Sequence, residues 1–232
     1  MKILIATTFS LFTLLACNSS KVQSEAGNTE DLNSEIFNQP ETEEMSEDAP
    51  KESVYLNPDK LTKAHFASGC FWCVEAIYEH TKGVKEVFSG YSGGHTKNPT
   101  YELSNTGKTG HAEAVQVIYD SSIISFKELV DIFYGTQNIE QVNGQGPDNG
   151  SQYRTIAFYS DAKEKAIIEA KVAELKSQGL KPAAEVTQFK KFWMGESYHQ
   201  DYEKLHPNHS YIRAVSVPRL NRFKKDFPGL VK

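Results

Sequence analysis

The chain has 232 residues, is 39% apolar and 24% charged, and carries a formal net charge of −5. That length permits one or two globular domains, and the balance is ordinary for a water-soluble fold. A mildly acidic chain gives no reason to expect nucleic acid, which wants a clustered basic face, and three cysteines are too few for a disulfide framework.

The first element in chain order is a targeting segment. Met1-Lys2 is a short positive start, and Ile3 to Ala16 is apolar or small and uncharged. The run is too short to span a bilayer and fits the apolar part of a secretory leader. It ends at Leu14-Leu15-Ala16-Cys17, which resembles the bacterial lipobox. There the cysteine becomes the first residue of the mature chain and carries lipid. On that reading residues 1–16 are a lipoprotein signal peptide and Cys17 is lipidated. The protein is then expected in the bacterial cell envelope, facing outward from the cytoplasm, because several acyl chains on one residue give stable anchoring to the membrane. An ordinary leader in which Cys17 has no role is the alternative. Residues 17–53 then turn acidic, with Glu41, Glu43, Glu44, Glu47 and Asp48 close together and few large apolar side chains. Such a stretch cannot bury enough to offset its ordering entropy, so a disordered tether is expected.

The folded domain is expected over 54–232. Lys63 to Ser68 reads as a short strand. Phe71 to His80 has helical spacing, with Phe71, Val74, Ile77 and Tyr78 on one face, and Gly83 closes it. Val84 to Tyr91 alternates as a strand does. A Gly- and Asn-rich loop from Ser92 to Gly110 is long enough to point to function. Ala112 to Tyr119 is another strand. Ser125 to Tyr134 is an amphipathic helix with Ser125 as N-cap. A second Gly-rich loop spans Gln137 to Ser151, followed by a strand from Tyr153 to Tyr159. Ala162 to Gln178 is a long helix closed by Gly179, and Ala184 to Phe189 is the final strand. The order β-α-β-β-α-β-α-β predicts an α/β (α+β) two-layer sandwich: a mixed sheet around a ferredoxin-like β-α-β-β-α-β core. Beyond Phe189 no clear period is visible, and an irregular wrap is expected.

Chemistry concentrates at Gly69-Cys70-Phe71-Trp72-Cys73, between a predicted strand and a predicted helix. A cysteine at a helix N-terminus meets free N–H groups and the positive end of the dipole, and both favour the nucleophilic thiolate. The bland alternative is a structural cysteine packed in the core. C-x-x-C also serves thioredoxin-like redox pairs and half zinc sites. For zinc, His206 and His209 are the only close histidine pair, their spacing is too tight, and no second C-x-x-C exists, so no metal is expected.

A longer series of motifs decides among these chemistries. Cys70-Phe71-Trp72 is followed by Gly90-Tyr91-Ser92-Gly93-Gly94 and Asn98-Pro99-Thr100-Tyr101. Then come Thr109-Gly110-His111-Ala112-Glu113-Ala114-Val115 and Gln145-Gly146-Pro147-Asp148-Asn149-Gly150-Ser151-Gln152-Tyr153. This series, in this order, resembles the A-type peptide methionine sulfoxide reductases from about Lys63 to the Tyr198-His199-Gln200-Asp201-Tyr202 stretch. The resemblance implies reduction of the S epimer of methionine sulfoxide, free or in oxidised proteins. It implies no metal or organic cofactor, only an external thiol reductant such as a thioredoxin-like protein. It implies Cys70 as nucleophile, Phe71 and Trp72 as the pocket for the substrate methyl, and Glu113 as general acid. Tyr101 and Tyr153 would bind the sulfoxide oxygen, and Asp148 would support the acid.

Those roles have a physical sense. Oxide leaves sulfur poorly, so thiolate attack needs the oxygen protonated as it proceeds, and an apolar site can keep a carboxylic acid neutral for that purpose. By strand alternation alone, however, Glu113 is expected to face outward. Tyr101 and Tyr153 could be ordinary loop-edge residues, Phe71 and Trp72 core, and Asp148 a turn residue. The chain also departs from the family. Many members carry resolving cysteines near the C-terminus, and this tail has none. A glycine is common where this chain has Cys73, which leaves Cys73 as the candidate resolving thiol, able to condense with a Cys70 sulfenic acid. The alternative is a packed residue, with an external thiol reducing Cys70 directly. A general thiol–disulfide oxidoreductase, and a non-enzymatic binder of methionine-like side chains, stand as competing functions. Neither needs Glu113.

Overall fold

The structure, a computed structural model, describes residues 61–232. The leader at 1–16, Cys17, the acidic stretch to residue 53 and the first residues of the domain lie outside the described residues. The elements in order are β1 (Leu61–Ala67), α1 (Phe71–Glu79), β2 (Val84–Ser92), α2 (Tyr101–Asn105), β3 (Ala112–Asp120), α3 (Phe126–Gly135), β4 (Gly144–Gln145) and β5 (Asp148–Asn149). They continue as β6 (Ile156–Tyr159), α4 (Ala162–Ser177), β7 (Glu185–Gln188), β8 (Phe192–Met194), α5 (Tyr202–Leu205) and α6 (Val217–Asp226).

Six strands form one sheet in the order β7-β6-β1-β3-β2-β8. β3 lies between β1 and β2 and is antiparallel to both, and β6 is antiparallel to β1. With α1 and α3 as crossovers, these four strands are the expected ferredoxin-like core. β7 joins β6 in parallel after α4, and β8 joins β2 antiparallel, so the sheet is mixed.

The alternation of each strand divides its side chains between two clusters. Ala64, Phe66, Val115, Val117 and Ala157 face the layer that holds α1, α3 and α6, packing on Phe71, Val74, Ile77, Leu129 and Phe223. Ala67, Ala112, Ala114, Ile156 and Phe158 form a smaller cluster on the opposite face with Phe192. β3 is therefore buried on both faces along nearly its whole length. α3 starts where its sequence says it should: Ser125 accepts from the Glu128 amide while Glu128 returns a bond to the Ser125 amide, a complete capping box.

Two expectations need correction. The stretch from Tyr153 is not yet strand, because Ser151–Tyr153 is a 3-10 turn and pairing begins at Ile156. The region after Phe189 is not irregular: it supplies β8, α5, a π-helical turn at Ile212–Ser216 and the amphipathic α6. α6 buries Arg219, Leu220 and Phe223. Among the described residues no helix is long and apolar enough to cross a membrane.

Candidate active site

Between β1 and α1 the chain turns sharply at Gly69, where φ is +74° and a Cβ would come within 2.5 Å of the Gln145 Cβ. Both the positive φ and the close approach require glycine. The turn delivers Cys70 to the N-cap of α1, with φ −54° and ψ 123°. No side chain caps the helix from that position, so its first amides find partners elsewhere. The Trp72 amide lies near enough to the Cys70 sulfur to favour its thiolate. The Phe71 N–H donates to Glu113 Oε2 at 3.0 Å.

Glu113 is the first correction at the site. It does not face outward: it shares the face of Val115 and Val117, and β3 carries it under the start of α1 with 2% of its surface exposed. Burial pushes its carboxyl up to about 8 against the pull of the Phe71 amide, and the neighbouring Asp148 charge adds to the rise. At neutral pH Glu113 is a buried carboxylic acid. Its Oε2 is engaged as an acceptor, so the proton belongs on Oε1.

Cys70, Phe71, Trp72, Tyr101, Glu113, Asp148 and Tyr153 line one cavity of about 190 Å³. The nucleophile and six of the residues singled out with it thus meet in one place, while Cys73 lies outside the lining. Tyr101 opens α2 behind the N-cap Thr100, and Glu196 accepts from its amide at 2.8 Å. The Tyr101 and Tyr153 hydroxyls face each other, and burial raises both above the ordinary tyrosine value. Phe71 is 1% exposed and serves core and cavity wall together. Trp72 is held edge and face: Tyr202 stacks on it at 3.7 Å, and its indole N–H donates to His199 Nδ1 at 3.2 Å. Burial pushes His199 down to about 4, so the imidazole is neutral and Nδ1 can accept. Asp148, on the β4–β5 hairpin, accepts from the Tyr211 hydroxyl.

Cys73 sits one helical turn below Cys70, and both thiols are buried and unoxidised. Interaction with the Cys70 thiol pushes the Cys73 thiol down to about 7 against its burial, with the Arg219 guanidinium helping. Burial, and then the interaction with Cys73, push Cys70 up. The reduced pair therefore gives up one proton near neutrality and holds the second, and the shared proton can move the negative charge between sulfurs. Cys73 Sγ also lies 3.9 Å from the Tyr211 hydroxyl.

Sequence reasoning missed two cavity residues, His209 and Tyr211, both from the tail. Among the described residues no group of three or more His, Cys, Asp or Glu is placed to hold a metal ion. His209 instead packs edge-on against Trp72, with ring centres 6.3 Å apart.

The sequence pattern of the family described as peptide methionine sulfoxide reductase matches residues 62–229. The peptide methionine sulfoxide reductase MsrA of Saccharolobus solfataricus is 44% identical over 170 residues, which is 73% of this chain and 96% of that one. The corresponding protein of Pasteurella multocida is 43% identical over 171 residues, 73% of this chain and 98% of its own. Among solved structures, methionine sulfoxide reductase A of Corynebacterium diphtheriae superposes with a TM-score of 0.59 at 29% identity, covering 65% of this chain and 77% of its own. Mxr1 of Saccharomyces cerevisiae in reduced form gives 0.61 at 28%, covering 67% and 91%. With the fold, a thiol pair at a helix N-terminus and a buried acid beside it, these matches carry one conclusion: the chain belongs to the peptide methionine sulfoxide reductase family and is a thiol-dependent reductase of methionine sulfoxide.

Proposed function

We propose that the chain reduces the S epimer of methionine sulfoxide, free and in oxidised proteins, by a two-thiol route through Cys70 and Cys73. The observation that carries the reading is the buried Glu113 carboxyl, neutral near pH 7 and sharing a cavity with Cys70. The Cys70 thiolate attacks the sulfoxide sulfur while Glu113 Oε1 gives its proton to the oxygen, with Tyr101 and Tyr153 donating hydrogen bonds to it. The sulfoxide is reduced to the thioether, and Cys70 is oxidised to the sulfenic acid, which takes the oxygen. Phe71 and Trp72 hold the substrate methyl. Cys73 then attacks the Cys70 sulfur: the S–O bond breaks, the S–S bond forms, and water leaves. An external thiol donor, such as a thioredoxin-like protein, reduces the disulfide. The place of Cys73 one helical turn from Cys70, with its thiol pushed down to about 7, supports it in the resolving role. Incubating the protein with racemic sulfoxide and dithiothreitol, and following each epimer separately, tests the reading. Loss of the S epimer alone, abolished in Cys70→Ser, is expected; consumption of both epimers, or activity without Cys70, overturns it.

The lipobox-like Leu14-Leu15-Ala16-Cys17 supports lipidation of Cys17 and a place in the cell envelope. Cys17→Ser is expected to release the protein from membranes or leave the leader uncleaved, and an unchanged membrane fraction and mature mass would refute it.

A further inference from the structure

Arg219 is a cation in an unusual position. It lies on α6 with 6% of its surface exposed. Its Nε donates to the Thr136 carbonyl at 2.8 Å, Nη1 to the Ser68 carbonyl at 2.8 Å and Nη2 to the Ser68 hydroxyl at 2.8 Å. All three acceptors are neutral, and a guanidinium carries five N–H donors, so two remain. Among the described residues no carboxylate forms an ion pair with it. Thr136 is the C-cap of α3, so the negative end of that helix answers part of the charge. Asp148 also feels the guanidinium, but is hydrogen-bonded to Tyr211. A buried charge without a full partner is expensive, and native folds supply one.

The groups that face Arg219 identify the partner. From α1 come Cys73, Cys70 and Tyr78; from the tail comes Tyr211; Arg222 is the neighbour on its own helix. Tyr78 is buried and Tyr211 half-buried, both are pushed up and stay neutral, and Arg222 has the wrong sign. The thiols remain. Ser68, which holds two of the three hydrogen bonds, is two residues before Cys70 in the same turn, so the guanidinium is tied directly to the segment that carries the nucleophile.

We propose that Arg219 is the counter-charge of the reduced Cys70–Cys73 pair, stabilising its thiolate through space and positioning the turn that bears it. Arg219 is thus a positioning residue: it touches neither substrate nor the reacting oxygen. The charge balance of turnover follows. A thiolate, a thiol, a sulfoxide and one proton become a disulfide, a thioether and water, so oxidation takes up a proton and leaves Arg219 without its anion.

The test reads the thiolate itself, by its ultraviolet absorbance against pH, with the sulfur-blocked protein as blank. It uses the parent chain, Arg219→Met and Arg219→Lys. The parent is expected to ionise near neutrality. Arg219→Met should move the midpoint up by about one unit or more, which is about tenfold less thiolate at a given pH below it. Arg219→Lys keeps the charge and should stay within about half a unit, while losing the forked bonds to Ser68. A folded Arg219→Met with the parental midpoint, or equal upward shifts in both variants, would overturn the proposal and leave Arg219 as a tie between α6, α3 and the turn. Should Arg219→Met not fold, Arg219→Gln, which removes the charge but keeps a side-chain donor towards Ser68, is titrated in its place and should show the same upward shift. A parental midpoint in it overturns the proposal equally. None of these measurements requires Cys73 to resolve, so they fail or succeed apart from the two-thiol route.

Discussion

Replacing Glu113 with Gln separates catalysis from stability because the two should change in opposite directions. The carboxyl is 2% exposed and held up to about 8. At about pH 7 it is therefore roughly nine-tenths protonated in the folded protein and ionised in the unfolded chain. A raised acid contributes its full stability below the unfolded value, which is 4.5. That stability drains away as pH rises towards the folded value. At about pH 7 the loss amounts to on the order of 3 kcal/mol relative to a permanently neutral side chain. Glutamine is neutral, nearly isosteric, and its amide oxygen can still accept from the Phe71 N–H. Glu113→Gln should thus melt several degrees higher than the parent at about pH 7 to 8, and the gain should vanish below about pH 5. Its rate should fall by about 10²- to 10⁴-fold, the usual contribution of a positioned acid. The parent needs the pair's thiolate, formed above about 7, and the Glu113 proton, lost above about 8. Its single-turnover rate should peak between those values, and the variant should lose the alkaline limb. Methionine release in a single turnover across pH, with melting curves at the same pH values, is the assay. A variant within about threefold of the parent, well below that range, would refute the assignment of the acid. So would an unchanged alkaline limb.

The two-thiol route and the tail give the other tests. Cys73→Ser should still release one equivalent of methionine in a single turnover, but stall with a thioredoxin-like donor and recover part of its rate with dithiothreitol. A parent that never shows a Cys70–Cys73 disulfide by mass spectrometry, together with normal turnover of the variant, would leave Cys73 as a packed residue. Phe223 is 0% exposed, and Phe223→Ala should cost about 3 to 5 kcal/mol by chemical denaturation; a loss under about 1 kcal/mol would mean that α6 contributes little to the core.

Much of this was legible in the residues, and the misses have particular causes. The sheet order follows from alternating elements with short connections and right-handed crossovers, so β1, α1, β2, β3 and α3 were readable directly. Strand alternation alone turns Glu113 outward, and only the motif argued for burying it. Ala112 and Ala114 flank it in sequence, but its own face is set by Val115 and Val117, two and four residues on. α6 was hidden by its start, not by its body. Ser216 is already helical in backbone, because the π-helical turn at Ile212–Ser216 runs straight into it, so no N-cap residue announces the helix. The signs that remained were Pro218 in the first turn, Leu220 and Phe223 three apart, and Lys224 and Lys225 at the end. Tyr211 could not be found by any local rule: it reaches Asp148 across 63 residues of sequence.

On the proposed two-thiol route, the position of the second thiol explains why this tail can be so well packed. A resolving cysteine near the C-terminus must be carried to the nucleophile, and that asks the tail to stay mobile. Here Cys73 follows Cys70 by one turn of α1, with the Cys73 amide donating to the Cys70 carbonyl at 3.2 Å. The two thiols sit one turn apart and share their ionisation, so closing the disulfide asks for local adjustment at a helix end, where the backbone is least constrained. The tail is then free to do static work. Ile212 and Phe223 are fully buried, and Arg219 ties α6 to both α3 and the Cys70 turn. Tyr202 backs Trp72, and Tyr211 reaches both Cys73 and Asp148. In this chain the C-terminal segment acts as a wall of the site. It holds the cavity and the surroundings of the thiols in place, and on the proposed two-thiol route the redox chemistry stays within the first turn of a single helix.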